Sequence, residues 1–303
     1  MAKMLSIAHR APADDVFLET DLDPAREALW VYVQPVPGLP LNFSTALLAS
    51  FERLLDRIEG NRWSWQDGSG ETRLHYLVLA SRHPRYFSLG GDLAFFQSCI
   101  DSGNIGGLRG YSMRCLDLIR RIFVAAENVT TIALVQGRAL GGGFETALSA
   151  SHMIAERGAE FGFPEIAFGT FPATGGMSLL ANRIGLRRAA AFMRNAKVYS
   201  AQELYDLGVV DELCEPGEGP AAVQRFIAEH RRRYNARMAL QRAEARMGAL
   251  DMNELRQVVE DWVATAMALS SEERRVLDTL VRMQAADAGA SRITQPTARI
   301  RSL

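Results

Sequence analysis

TTIALVQGRALGGGFETALSASHMIAERGAEFGFPEIAFGTF, residues 130–171, sets two carboxylates just behind chain-breaking signals: Glu145 follows three glycines and Glu165 follows a proline. The opening run, Thr130-Thr131-Ile132-Ala133-Leu134-Val135, is β-branched and apolar without polar alternation, the pattern of a strand buried on both faces. Gly137 ends it. Gly141, Gly142 and Gly143 then precede Phe144-Glu145-Thr146-Ala147-Leu148, which reads as a helix with its acid in the first turn. Glycines leave backbone N–H groups uncovered at that helix start, which favours an anion, or an oxygen gaining negative charge, against them. The spacing fits neither a P-loop, since no Lys-Ser or Lys-Thr follows, nor the G-x-G-x-x-G of a dinucleotide fold. A glycine run alone is more often a flexible turn, and the second acid is what raises the functional reading. Glu165 lies in FGFPEIAFGTFP, an apolar neighbourhood in which a carboxyl resists ionising. Two acids in one partly desolvated site push each other's pKa values apart, leaving a proton donor and an acceptor near neutral pH.

Upstream of this stretch, Ala28-Leu29-Trp30-Val31-Tyr32-Val33 reads as a strand stopped by Pro35, Pro37, Gly38 and Pro40. Asn42 or Ser44 can cap a following helix, whose Leu47, Leu48, Phe51, Leu54, Leu55 and Ile58 fall at helical spacing. Residues 1–24 read as an irregular arm with a short strand near 16–18, and residues 61–72 as a surface loop in which Trp63 and Trp65 pack locally. A strand over 75–80 leads into Phe87-Ser88-Leu89-Gly90-Gly91-Asp92. Asp92 can cap a helix through Ile100, and a longer helix over 108–126 carries Arg114, Arg120 and Arg121 on its outward face as solvated charges.

Downstream, Ser200-Ala201-Gln202-Glu203 is a capping box, and residues 209–213 form a short strand. Two prolines and two glycines over 215–220 then mark a domain boundary. Beyond it strand signals vanish. Arginines 225 to 246 stud one long helical segment, a last helix covers 271–286, and the tail over 287–303 lacks periodicity. The division is therefore 1–216 as a core holding the site and 217–303 as a helical region.

A chain of 303 residues with 48% hydrophobic content can bury a large core. Net charge near −1 gives no global reason to expect nucleic acid or a membrane as partner. Cys99, Cys115 and Cys214 are odd in number and widely spaced, so no disulfide framework and no zinc site is expected, and a reducing cytoplasm fits best. No signal peptide or membrane span is read in the chain. The five histidines lie in no metal-binding or nucleophile-activating pattern.

Gly137 to Glu145 followed twenty residues on by Pro164-Glu165 resembles the crotonase (enoyl-CoA hydratase/isomerase) superfamily, with its G-x-A-x-G-G-G-x-E and later P-E. Phe87-Ser88-Leu89-Gly90-Gly91-Asp92-Leu93 is similar to that family's upstream oxyanion-hole segment, and the resemblance runs from about Trp30 to Glu215. It implies an α/β spiral of strand-strand-helix repeats with a helical C-terminal region, assembled as a trimer or a dimer of trimers. It also implies that the Gly91 and Gly142 N–H groups hold a thioester oxygen while Glu145 and Glu165 act as acid and base, with no cofactor and no metal. Within the superfamily, residues 76–81, 87–93, 131–137 and 154–157 look most like the diffusible signal factor synthases, which make cis-2-unsaturated fatty acids for bacterial cell-to-cell signalling. That likeness implies an acyl carrier protein or CoA thioester as substrate. Residues 169–176, GTFPATGG, look more like the common hydratases, so a hydratase/isomerase stays open, as does an inactive crotonase scaffold that binds a regulator. The presence of both glutamates argues against the scaffold.

Overall fold

The computed structural model describes residues 15–68 and 70–290. In chain order the elements are β1 (Leu18–Asp23), β2 (Ala28–Val33), α1 (Thr45–Gly60), β3 (Ser64–Asp67), β4 (Gly70–Arg73), β5 (Tyr76–Ser81) and β6 (Tyr86–Ser88). Then come α2 (Leu93–Ser102), α3 (Ile105–Val124), β7 (Thr130–Val135), β8 (Arg138–Leu140), α4 (Gly142–Ser149), β9 (His152–Glu156) and β10 (Glu160–Gly162). A short 3-10 turn, Glu165–Phe168, precedes α5 (Gly176–Ile184), α6 (Leu186–Met193), β11 (Val198–Ser200), α7 (Ala201–Asp206) and β12 (Glu212–Cys214). The remainder is helical: α8 (Gly219–His230), α9 (Tyr234–Met247), α10 (Met252–Met267) and α11 (Ser271–Ala290).

Two sheets carry the architecture. The larger has the order β1-β2-β5-β7-β9-β12 and is parallel except for the β1–β2 pair, and the smaller has the order β11-β10-β8-β6. Each long strand feeds the first sheet and the short strand after it feeds the second, so β5–β6, β7–β8 and β9–β10 repeat one unit, each followed by helix. This is the strand-strand-helix spiral expected from the sequence. β2, β5 and β7 are buried at every position, which accounts for their unbroken apolar runs. One face of the large sheet packs Leu29, Val31, Leu77 and Leu79 against Phe51, Leu55 and Ile58 of α1, and the other packs Val78, Ile132 and Leu134 against Val223 and Ile227 of α8. Stacking successive corners demands glycine at Gly137, where a Cβ would overlap the backbone carbonyl of Arg85.

Some local expectations change. Residues 61–72 are largely a hairpin, β3 with β4, whose Trp65 is buried under the Arg57 guanidinium, 4.0 Å from its ring centroid. Residues 18–23 form an edge strand longer than the short one read near 16–18, because β2 offers six antiparallel partners. Residues 1–14 of the arm lie outside the described residues, as does the tail from 291. The cap of α1 is Ser44, which accepts from Leu47 N–H. Arg121 is buried and not outward: its guanidinium bonds Glu59 and Asp56 of α1, while Arg114 pairs with Glu52. The acidic row on α1 could not be placed opposite α3 from periodicity alone. The arginine-rich segment is broken into α8 and α9 by a 3-10 turn at Arg231–Arg233, and Arg231 reaches back to the Ala25 carbonyl and Glu27.

The apolar stripe of α10, Leu255, Val259, Trp262 and Val263, is buried within the chain against Ile100 of α2, Leu108 and Leu116 of α3, and Phe168. Among the described residues no helix is long and apolar enough to cross a membrane.

Candidate active site

Glu145 stands in the first turn of α4, a helix whose residues from Gly143 to Ser149 are all buried. Phe144 anchors that turn among Phe163, Phe161 and Phe192, at ring-centroid separations of 4.9, 5.2 and 6.0 Å. The helix entry is built for close approach. Gly141 has φ +50°, and a Cβ there would strike the Glu165 carboxylate, so only glycine lets the second acid reach the start of α4. Glu145 Oε1 accepts the Thr174 N–H at 2.9 Å and the Gly176 N–H at 2.8 Å, and its Oε2 accepts the Thr174 hydroxyl.

Glu165 opens the 3-10 turn after Pro164. The residue as a whole is half-buried, and its Oε2 is buried without a hydrogen-bond partner among the described residues. The two acids therefore differ in proton affinity. Burial raises both. Glu165 is pushed up to about 8, first by burial and then by the negative charge of Glu145. Burial also raises Glu145, but the Thr174 and Gly176 bonds to its charged form oppose that rise. Of the pair, Glu165 holds its proton the more tightly and Glu145 is the first to ionise.

The segment after β6 brings its own amides to the same place. Gly90 O accepts the Phe43 N–H at 2.8 Å, and in a trans peptide the N–H lies opposite the carbonyl, so the Gly91 N–H is turned away from Phe43. Asp92 N–H donates to the Tyr111 hydroxyl at 3.0 Å, and that hydroxyl donates to Phe43 O at 2.6 Å. The Gly142 N–H lies alongside: a Cβ on Gly142 would be 3.8 Å from Gly91 N, and one on Gly90 would be 3.2 Å from Gly142 N. Glycine at all three positions leaves the two amides uncovered. Gly91, Gly142, Glu145 and Glu165 thus all line one cavity of about 210 Å³. Its walls are mostly apolar, with Phe43, Leu48, Phe96, Leu118, Phe171 and Trp262 among them. Cys115 also faces it, with burial pushing its thiol up to about 12, outside the range of a thiolate nucleophile at neutral pH.

Chemically, the arrangement offers two N–H donors for one oxygen, a base and an acid beside them, and an apolar chamber for a chain. The enoyl-CoA hydratase/isomerase family model matches residues 66–259, nearly two thirds of the chain. The chain belongs to the enoyl-CoA hydratase/isomerase family. Its similarity to the crotonyl-CoA hydratase of Syntrophomonas wolfei is 28% identity over 174 residues, 57% of this chain and 64% of that one. Of the multifunctional β-oxidation protein AIM1 of Arabidopsis thaliana, the matched stretch spans 24%, so the chain covers less than two thirds of these curated relatives. Among solved structures, an enoyl-CoA hydratase from Bacillus halodurans superposes with a TM-score of 0.70 at 24% identity, covering 87% of this chain and 99% of that one. Pseudomonas aeruginosa DspI superposes with a TM-score of 0.60 at 22% identity, covering 88% and 97% respectively. These likenesses establish a mixed α/β family fold with a helical C-terminal region, and members of the family are enzymes.

Several residues of the site escape a reading of the family motifs. Thr174 and Gly176, which hold the Glu145 carboxylate, lie in the hydratase-like stretch 169–176, yet nothing in that stretch marks their two amides and the Thr174 hydroxyl as partners of Glu145. Tyr111, Trp262, Leu280 and Met283 reach the cavity from α3, α10 and α11, and no spacing in the sequence connects those helices to the glutamates.

Proposed function

We propose that this chain makes a cis-2-unsaturated fatty acid signal of the diffusible signal factor type. It dehydrates a 3-hydroxyacyl carrier-protein thioester and hydrolyses the 2-enoyl product to the free acid. The observation that carries the reading is the pair of buried acids with unequal proton affinity beside two uncovered amides at an apolar chamber. In the first stage the thioester oxygen accepts from Gly91 and Gly142 N–H, which stabilises the enolate as Glu145 removes the α-proton. Glu165 gives its proton to the departing 3-hydroxyl, which leaves as water. The elimination exchanges the charges of the pair: Glu145 is now the acid and Glu165 the carboxylate.

That exchange prepares the second stage. Glu165 takes a proton from water as the water oxygen attacks the thioester carbon, and the same two amides hold the tetrahedral oxyanion. Collapse breaks the carbon–sulfur bond, and Glu145 returns its proton to the thiolate. Both glutamates end as they began. Further support comes from the signal-synthase phrases over 76–81, 87–93, 131–137 and 154–157. In this reading the region over 217–303 covers the site through Trp262, Leu280 and Met283, and the chain assembles as a trimer or a dimer of trimers.

A second reading is favoured by residues 169–176 and by the crotonyl-CoA hydratase relative: the same groups would interconvert 2-enoyl-CoA and 3-hydroxyacyl-CoA and stop there. Purified protein incubated with medium- and long-chain 3-hydroxyacyl carrier-protein thioesters separates the two. The expected result is one free thiol for each 2-unsaturated acid released. Interconversion of hydroxyacyl and enoyl thioesters without thiol from any chain length leaves the hydratase.

A further inference from the structure

One side chain outside the family motifs grips the oxyanion segment. Gln284, on the last helix α11, donates through Nε2 to Leu89 O at 3.2 Å and to Gly91 O at 3.4 Å, while its Oε1 accepts from Asn42 Nδ2 at 3.2 Å. These carbonyls flank the Gly90–Gly91 peptide. The Leu89–Gly90 peptide is held at its carbonyl by Gln284 and at its N–H by Ser88 Oγ, at 3.2 Å. The Gly91–Asp92 peptide is held at its carbonyl by Gln284 and at its N–H by Tyr111. Between them, the peptide that carries the Gly91 N–H has, among the described residues, only its own carbonyl bonded, to Phe43 N–H. Two glycines in a row give this stretch wide freedom, and Gly90 sits at φ +87°, so its orientation is set by these bonds and not by local preference.

The same helix reaches the rest of the site. Leu280 and Met283 line the cavity, and α11 packs on the 3-10 turn that carries Glu165, with Glu273 against Gly169. We infer that Gln284 is a positioning residue that couples the seating of α11 over the cavity to the competence of the Gly91 N–H. With α11 seated, the amide is aimed at the substrate oxygen; with α11 lifted to admit an acyl chain, two of the bonds that aim it are lost. Closure over the substrate and assembly of the oxyanion hole are then one event, which restricts enolate formation to the water-excluded state. The inference rests on the oxyanion role proposed above for Gly91.

Gln284→Met keeps the length and helix propensity of the side chain and removes its N–H donors, with Arg282→Gln on the exposed side of α11 as a control. Amide hydrogen exchange and steady-state kinetics on a 3-hydroxyacyl carrier-protein thioester are both measured. Gln284→Met is expected to speed exchange across 88–92 by about tenfold, the equivalent of roughly one hydrogen bond, with β5 unchanged. Turnover is expected to fall by a similar factor while KM stays within about twofold, since the lost bonds aim the N–H that meets the transition-state oxygen. Unchanged exchange over 88–92 overturns the proposal, as does a rise in KM with turnover preserved. If the unsubstituted protein turns over no thioester, the functional reading fails while the exchange result still decides for or against the latch.

Discussion

Glu145→Gln and Glu165→Gln should each lower turnover by about 10²–10⁴-fold, the usual worth of a positioned acid or base, while leaving the fold intact. Glutamine at 145 can still accept from the Thr174 and Gly176 amides, so its neighbours keep their places. What it loses is the ability to take the α-proton. Glutamine at 165 removes the acid that releases the hydroxyl and the base that activates water, so dehydration and hydrolysis should fall together. Steady-state assays of olefin and thiol formation on both variants check this, and near-normal turnover in either variant would remove that residue from the mechanism. A variant that loses only one of the two steps would separate the roles assigned here to a single pair.

The second large effect is on stability. Phe144→Ala should cost about 3–5 kcal/mol, because Phe144 is fully buried and packed among three other phenylalanines that cannot all collapse into the space. Domains commonly have only about 5–15 kcal/mol in total, so the variant should unfold at markedly lower urea concentration. The loss should also reach the chemistry, since Phe144 precedes Glu145 in the first turn of α4. A midpoint shift worth less than about 1 kcal/mol would mean that this turn is held by something other than its aromatic anchor.

How legible all this was depends on how local the cause is. Strands such as β7 are written in their own residues, because burial on both faces requires an unbroken apolar run. The acids at 145 and 165 stand out in the sequence because the glycine run and the proline before them mark backbone geometry that few other residues allow, whereas Gly91 and Gly142 are singled out by the family resemblance. Long-range pairing was not legible. Arg121 looked like a solvated charge because its partners Asp56 and Glu59 lie on another helix, and Trp65 looked like a loop residue because its cover comes from Arg57. The grip of Gln284 on Leu89 and Gly91 joins residues nearly two hundred positions apart, and a single glutamine in an amphipathic helix carries no mark of it.

The central claim is that the two carboxyls hold opposite protonation states at neutral pH. Because the folded chain binds the Glu165 proton more tightly than the unfolded chain does, its contribution to stability is complete below about 4.5. It is lost as pH rises through about 8. Infrared titration of the carboxyl stretch in the free protein tests this most directly, comparing the unsubstituted chain with Glu165→Gln. The account predicts that one buried carboxylic acid persists through neutral pH and ionises near 8 as the upper step of the pair, and that this step is missing from Glu165→Gln. Complete ionisation of both carboxyls by pH 6, or an upper step that survives the substitution, would contradict it.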